Sequence, residues 1–173
     1  MKSGYEILQT ICTEINTDFQ ADTAGKYGDI KFFAGYDVEI SNELKILSKR
    51  GVKAYPLFAV VMPETHADNI GKDEREITIK KIIIATSAAK DMRIGKRIET
   101  NFTQILEPIL ELFKEKFSEN TDIISSGYDT VITSMWVPLY SEDNQQSDQY
   151  DNRLDGIKIE NFKFKIKNTG NDC

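Results

Sequence analysis

Residues 76–117 read EITIKKIIIATSAAKDMRIGKRIETNFTQILEPILELFKEKF, and the fold is decided by how this stretch is parsed. Glu76 to Thr86 has the character of a central strand. Ile77 and Ile79 alternate with polar neighbours, and Ile82, Ile83 and Ile84 then run together. The apolar phase is odd at Ile77 and Ile79 and even at Ile82 and Ile84, with Lys80 and Lys81 at the change. A one-residue change of facing predicts a β-bulge there, the alternative being a strand buried on one face early and on both faces late. Ser87 to Arg93 is a turn. From about Ile94 to Phe117 the apolar residues Ile98, Phe102, Ile105, Ile109, Leu112 and Phe113 recur at helical spacing. Pro108 falls inside this helix, where its ring clashes with the carbonyl four residues back. The stripe keeps its phase through Pro108, which predicts one kinked helix rather than two.

N-terminal to this stretch, residues 3–19 form a helix with Tyr5, Leu8, Ile11, Cys12, Ile15 and Phe19 on one face. Ser3 and Glu6 match a capping box at its start. A loop with Gly25 and Gly28 follows. Phe32, Ala34, Tyr36, Val38 and Ile40 then alternate as a half-buried strand. Residues 41–50 read as a short helix or an irregular connection anchored by Leu44 and Leu47. Val52 to Met62 is apolar on both phases, the pattern of a strand covered on both faces, and Pro56 sets its start near a sheet edge or end. Residues 63–75 read as a polar, flexible loop.

Beyond the long helix, residues 119–127 read as a loop and Tyr128 to Tyr140 as a strand. Residues 141–155 make a polar, acidic, flexible loop. Ile157 to Lys167 is the last strand, and its phase flips at Asn161, a second candidate bulge. The fold class is α+β: residues 1–173 as a single domain, with one mostly antiparallel sheet and an N-terminal helix and a long kinked helix packed on one face.

The chain has 173 residues and a net charge of −6, with 40% apolar and 29% charged residues. That balance suits a folded protein rather than a disordered one. No run approaches the ~18 consecutive apolar residues of a membrane span, and the N-terminus lacks the apolar core of a secretory signal. An intracellular protein, with no membrane partner, is expected. Sequence-independent binding of nucleic acid depends on cations that neutralise phosphates, so an acidic chain is a poor candidate for it. Cys12 and Cys173 are expected to stay reduced. Two cysteines and one histidine do not make a zinc site.

Catalytic signatures are sparse. Gly25 and Gly28 follow no strand and precede no Lys-Ser/Thr, so they make no phosphate loop. His66, between Glu64 and Asp68, is the lone histidine; a solvated loop residue is its expected role over a weak metal ligand. A metal-dependent nuclease would place an acid and then Glu-x-Lys on adjacent strands. Asp73 or Glu74 with Glu76 and Lys80, and Asp155 with Glu160 and Lys163, both miss that spacing. Lys90, Arg93, Lys96 and Arg97 cluster at the head of the long helix. They are read as pairing with acids of a neighbouring loop or subunit, rather than as a phosphate site.

The order of elements resembles the tail terminator (tail completion) proteins of tailed bacteriophages and prophages, and the related neck proteins. The pieces that carry the likeness are Tyr5 to Phe19, the Pro-containing strand from Tyr55 to Val61, Ile77 to Thr86 feeding Ile98 to Phe117, and Tyr150 to Phe162. In the last piece an Asp-rich turn leads through Ile157-Lys158-Ile159 into the final strand. The long insert around residues 20–50 and Pro108 depart from the family pattern.

The resemblance implies a homo-oligomeric ring, commonly of six subunits, in the virion after assembly in the host cytoplasm. It implies no enzymatic activity, no cofactor and no metal. Its partners would be other head or tail proteins, with DNA only as passing cargo. In that setting Lys90, Arg93, Lys96 and Arg97 would meet acids of the 141–155 segment of a neighbour, namely Glu142, Asp143, Asp148, Asp151 and Asp155. The competing expectations are a small binding or accessory protein acting as monomer or dimer, and the nuclease.

Overall fold

The computed structural model describes residues 3–69, 73–89, 91–128, 130–134 and 153–167. Six strands form one sheet in the order β1-β2-β3-β6-β4, with β5 also on β6. They are β1 (Lys31–Gly35), β2 (Leu57–Asn69), β3 (Glu74–Ala88), β4 (Ile123–Gly127), β5 (Thr130–Ser134) and β6 (Arg153–Lys167). Only β1 and β2 pair in parallel; every other pairing is antiparallel. The class is α+β, with β3 at the centre of the sheet.

Helix α1 (Gly4–Thr23) starts at the capping box read from the sequence. The Ser3 side chain accepts from the Glu6 N–H at 3.2 Å, and the Ser3 N–H donates to Glu6 Oε2 at 2.7 Å. Ile7, Leu8, Ile11, Cys12, Ile15 and Phe19 form its buried face. The long helical run is α3 (Ile94–Arg97), a π-helical segment (Ile98–Leu106) and α4 (Glu107–Glu119). Pro108 opens α4, and just before it the Glu107 N–H donates to the Phe102 carbonyl, five residues back. The wider π turn shifts the carbonyl ladder ahead of the ring, so the run carries proline without a break.

Helix α1 and the long run pack on one sheet face. Their apolar residues merge with Phe58 and Val60 of β2, Ile77, Ile79, Ile82 and Ile84 of β3, and Ile157, Ile159, Phe162, Phe164 and Ile166 of β6. The other face holds a smaller core beneath α2 (Asp37–Lys49), built on Ile40, Leu44, Leu57, Ala59, Val61, Ile83, Ala85 and Leu154. β2 is therefore apolar on both phases because it is covered on both faces. Among the described residues, no helix is long and apolar enough to cross a membrane.

The phase changes in β3 and β6 are present. Ile79 and Ile82 face the same core, as do Ile159 and Phe162. In the β3–β6 ladder no register shift accompanies them, so the bulge expected at Asn161 is not seen there. Ile79 pairs with Phe162 and Lys81 with Glu160, so the two irregularities face each other and cancel. Asn161 supplies the local turn with φ 51°, a left-handed conformation that asparagine tolerates. At the β3 phase change the β2–β3 ladder does shift register: its extra residue is on β2, between Val61 and Glu64, which pair with Lys81 and Ile79.

Several expectations are corrected. The strand expected through Ile40 ends at Gly35, and Ile40 is a core residue of α2. Tyr36 and Val38 are 58% and 62% exposed, because the chain turns into the helix there. The N-terminal helix and the long run share one face as expected, and α2 adds cover on the other. Within the expected 63–75 loop, β2 runs on to Asn69 and β3 begins at Glu74, since ladder pairing satisfies these backbone groups even where the side chains are polar. Residues 123–127, expected as loop, are β4. Residues 135–140 of the expected Tyr128–Tyr140 strand, and residues 141–152 of the expected acidic loop, lie outside the described residues.

Burial pushes the Cys12 thiol from its ordinary 9.0 up to about 12, and Tyr55 from 10.0 up to about 12. Both groups are neutral when protonated, so the folded state holds their protons more tightly than the unfolded chain. Their stabilising contribution is whole below about pH 9 and is lost as pH rises toward 12. The urea midpoint should therefore fall as pH rises above 9, and a Cys12→Ala variant should show a shallower fall. An identical slope in the variant would rule Cys12 out as a contributor.

Candidate functional site

Three of the buried polar residues gather at the head of the long helical run. Arg97 is 4% exposed, Asn101 3% and Asp155 0%. Arg97 Nε donates to Asp155 Oδ2 at 3.1 Å, and its Nη2 donates to Asp155 Oδ1, a bidentate pair. Asn101 Nδ2 donates to Asp155 Oδ2 at 2.7 Å and lies 3.4 Å from the Ser87 carbonyl. The network joins the first turns of the helix, the end of β3 and the start of β6. A planar guanidinium matched to a carboxylate, with an amide on the remaining lone pair, is how a buried charge is tolerated.

This placement corrects part of the expected interface. Arg97 and Asp155 do meet, but within one chain and out of reach of a neighbour. Arg93 is exposed at the helix N-cap, and Lys96 is exposed beside Glu99 at 3.3 Å. Lys90, Glu142, Asp143, Asp148 and Asp151 lie outside the described residues. Ile98, expected in the apolar stripe, is 46% exposed, and Arg97 turns inward in its place.

The sequence did carry a signal for this network. Arg97, Asn101, Ile105 and Ile109 follow one another at helical spacing, which extends the apolar stripe with polar residues. Asp155 likewise continues the phase of Ile157 and Ile159. Polar residues on core-facing positions at the ends of two elements should have partners.

His66 lies in β2 rather than in a loop, and its Nε2 contacts Glu64. The Glu64 side chain is 7% exposed and also accepts from the N–H groups of Gly4 at 2.8 Å and Tyr5 at 3.0 Å. It acts as an N-terminal cap for α1 supplied by another element, where a carboxylate also complements the helix dipole. Gly4 permits this approach, because a Cβ there would stand 2.8 Å from Ile77 Cγ2.

The carboxylates weighed for a nuclease are dispersed. Asp155 is committed to Arg97, Glu160 pairs with Lys158 at 2.9 Å on the opposite sheet face, and Glu74 lies 3.7 Å from Lys165. A shallow cleft of about 200 Å³ is lined by Ala67, Asp68, Glu74, Glu76 and Lys165. Asp68 in it is held below the usual carboxylate range by its hydrogen bond to Arg75. Among the described residues, no three His, Cys, Asp or Glu side chains gather as a metal ion requires.

The two ends of the sheet are the remaining feature. β1 closes one end, and β4 and β5 together close the other. Ile124, Tyr128 and Val131, along the β4–β5 line, are 42%, 45% and 38% exposed. Compared with known proteins, the chain matches no family model and no curated sequence.

Proposed function

We propose that this chain is a structural subunit that assembles into a ring at a phage head–tail junction or tail, in the manner of tail terminator and neck proteins. The observation that carries the reading is the sheet with terminal strands at both ends, one of them flanked by exposed apolar side chains. Unpaired strand edges are templates for another chain. A subunit whose two sheet ends are, among the described residues, unpaired and different can join head to tail and close by rotation.

Further support comes from the order of elements: an N-terminal helix, a Pro-initiated strand, a central strand leading to one long helical run, and a long final strand. The net charge of −6 suits a channel through which DNA slides rather than sticks. Arg93 and Lys96 are exposed cations at the helix head, available to acids of a neighbour.

Sedimentation velocity and native mass spectrometry over a wide concentration range test the proposal, with negative-stain imaging of any assembled species. A closed ring of one stoichiometry is expected, either alone or on addition of a tail-tube or connector protein. A monomer or two-fold dimer under all these conditions would overturn the ring and favour an accessory binding protein.

A further inference from the structure

We infer that the outer edge of β4–β5 pairs antiparallel with the outer edge of β1 from a second copy of this chain, so that one sheet continues from subunit to subunit. The inference rests on the ring reading and names its contact.

Strand direction comes first. β1 runs parallel to β2, and each later neighbour reverses: β2 with β3, β3 with β6, and β6 with β4 and β5. The strands at the two ends of the sheet therefore run in opposite senses. Placing β4–β5 of one copy beside β1 of the next extends the antiparallel pattern. The arrangement is head to tail, as closure into a ring demands.

The β4–β5 edge is also longer than either strand alone. Ser125 to Gly127 pair with Lys165 to Lys163, and Thr130 to Ser134 resume the same register from Glu160 to Gly156. β4 and β5 thus form a single line along β6.

Composition is the most telling feature. Charged residues make up 29% of the chain, yet 123–134 contains no Lys, Arg, Glu or Pro and only one Asp, Asp129. Lysine, proline and inward charges are what protect a solvent-exposed edge from pairing. The stretch lacks those devices and presents Ile124, Tyr128 and Val131 to solvent instead. In a protein of net charge −6, an acid-poor edge lets two copies meet with little like-charge repulsion.

Charge also selects β1 as the occupant. The one charged residue of β1 is Lys31, opposite in sign to Asp129. Lys31 stays accessible, with its side chain 40% exposed beside Asp29 at 3.7 Å. Asp129 lies near the middle of 123–134 and outside the described residues.

The test has two arms. A Val131→Lys, Thr133→Lys variant changes exposed edge positions only; it should remain monomeric where the unaltered chain assembles, with the same circular dichroism and melting temperature. In the second arm, Ser126→Cys and Ala34→Cys are combined in a Cys12→Ser, Cys173→Ser background and treated with a flexible bismaleimide. A ladder of covalent multimers is expected from the pair and from neither single variant. Dimers from Ser126→Cys alone would overturn β1 as occupant in favour of a two-fold edge. An assembled wild type with no ladder and an unaffected lysine variant would overturn the edge contact while leaving the ring intact. A wild type that never assembles would overturn the ring reading and this contact with it.

Discussion

Replacing Asp155 with alanine should cost about 3–5 kcal/mol of folding stability, among the largest effects of any single substitution in this chain. Asp155 is fully buried, and its carboxylate meets the Arg97 guanidinium through two donors and Asn101 through a third. Removing it leaves a guanidinium that is 4% exposed without the carboxylate paired to it. The penalty comes mainly from that stranded charge and much less from the net worth of the pair. An Arg97→Met, Asp155→Leu double variant should therefore recover most of the loss, since apolar residues of similar size can replace a buried ion pair. Urea unfolding with an unchanged slope would measure both. A loss below about 1 kcal/mol for Asp155→Ala would mean that water screens the pair as it does at a surface.

The same geometry separates the two arginines at the helix head. Charge reversal at Arg97 would place two acids together in the interior, so it reports on folding. Reversal at Arg93, which is exposed, reports on assembly. Combined reversal of both would confuse the two readouts.

Phe162→Ala is expected to cost about 3–5 kcal/mol for a different reason. Phe162 is 2% exposed, and its ring lies 5.0 Å from Phe117, 5.6 Å from Phe113 and 5.7 Å from Phe164. Tyr128 stacks on it at 6.4 Å. Truncation removes apolar burial and leaves a cavity among rings that belong to two elements, so collapse cannot fill it cheaply. Phe162 also follows Asn161, where the facing of β6 reverses; its packing holds the reversed half of the strand against α4. Tyr36→Ala, at a 58% exposed position, is the control and should change stability by no more than about 0.5 kcal/mol. Equal losses at the two positions would contradict the assignment of the core.

Local period was legible where a segment buries one continuous face. The capping box at Ser3 and Glu6, the apolar face of α1 and the long helical run follow from spacing alone. So do β3, β6 and the two-sided burial of β2. The phase changes at Lys80–Lys81 and Asn161 were legible too, because side-chain alternation is a property of each strand. Their pairing was not. That the two irregularities face each other, and so leave the register intact, depends on which strands are neighbours. The end of β1 at Gly35 was missed because Tyr36, Val38 and Ile40 fit a strand period and also a helix turning into α2. Only the second core, which takes up Ile40 and Leu44, decides between them.

At the candidate site the divide is the same. The residue types at the helix head were visible as a basic cluster, and Asp155 as the end of an acidic run. Their destination was not, since charge in a sequence is read as solvated unless a partner is known. The sequence by itself determined the elements, their periods and the acid-poor stretch 123–134, all of which are local. Only in three dimensions does Arg97 turn inward to Asp155, Glu64 cap α1 and α2 cover the opposite sheet face, with β4 and β5 a terminal edge among the described residues. Each of these joins residues far apart in the chain, and their energies depend on burial and geometry that no local period encodes.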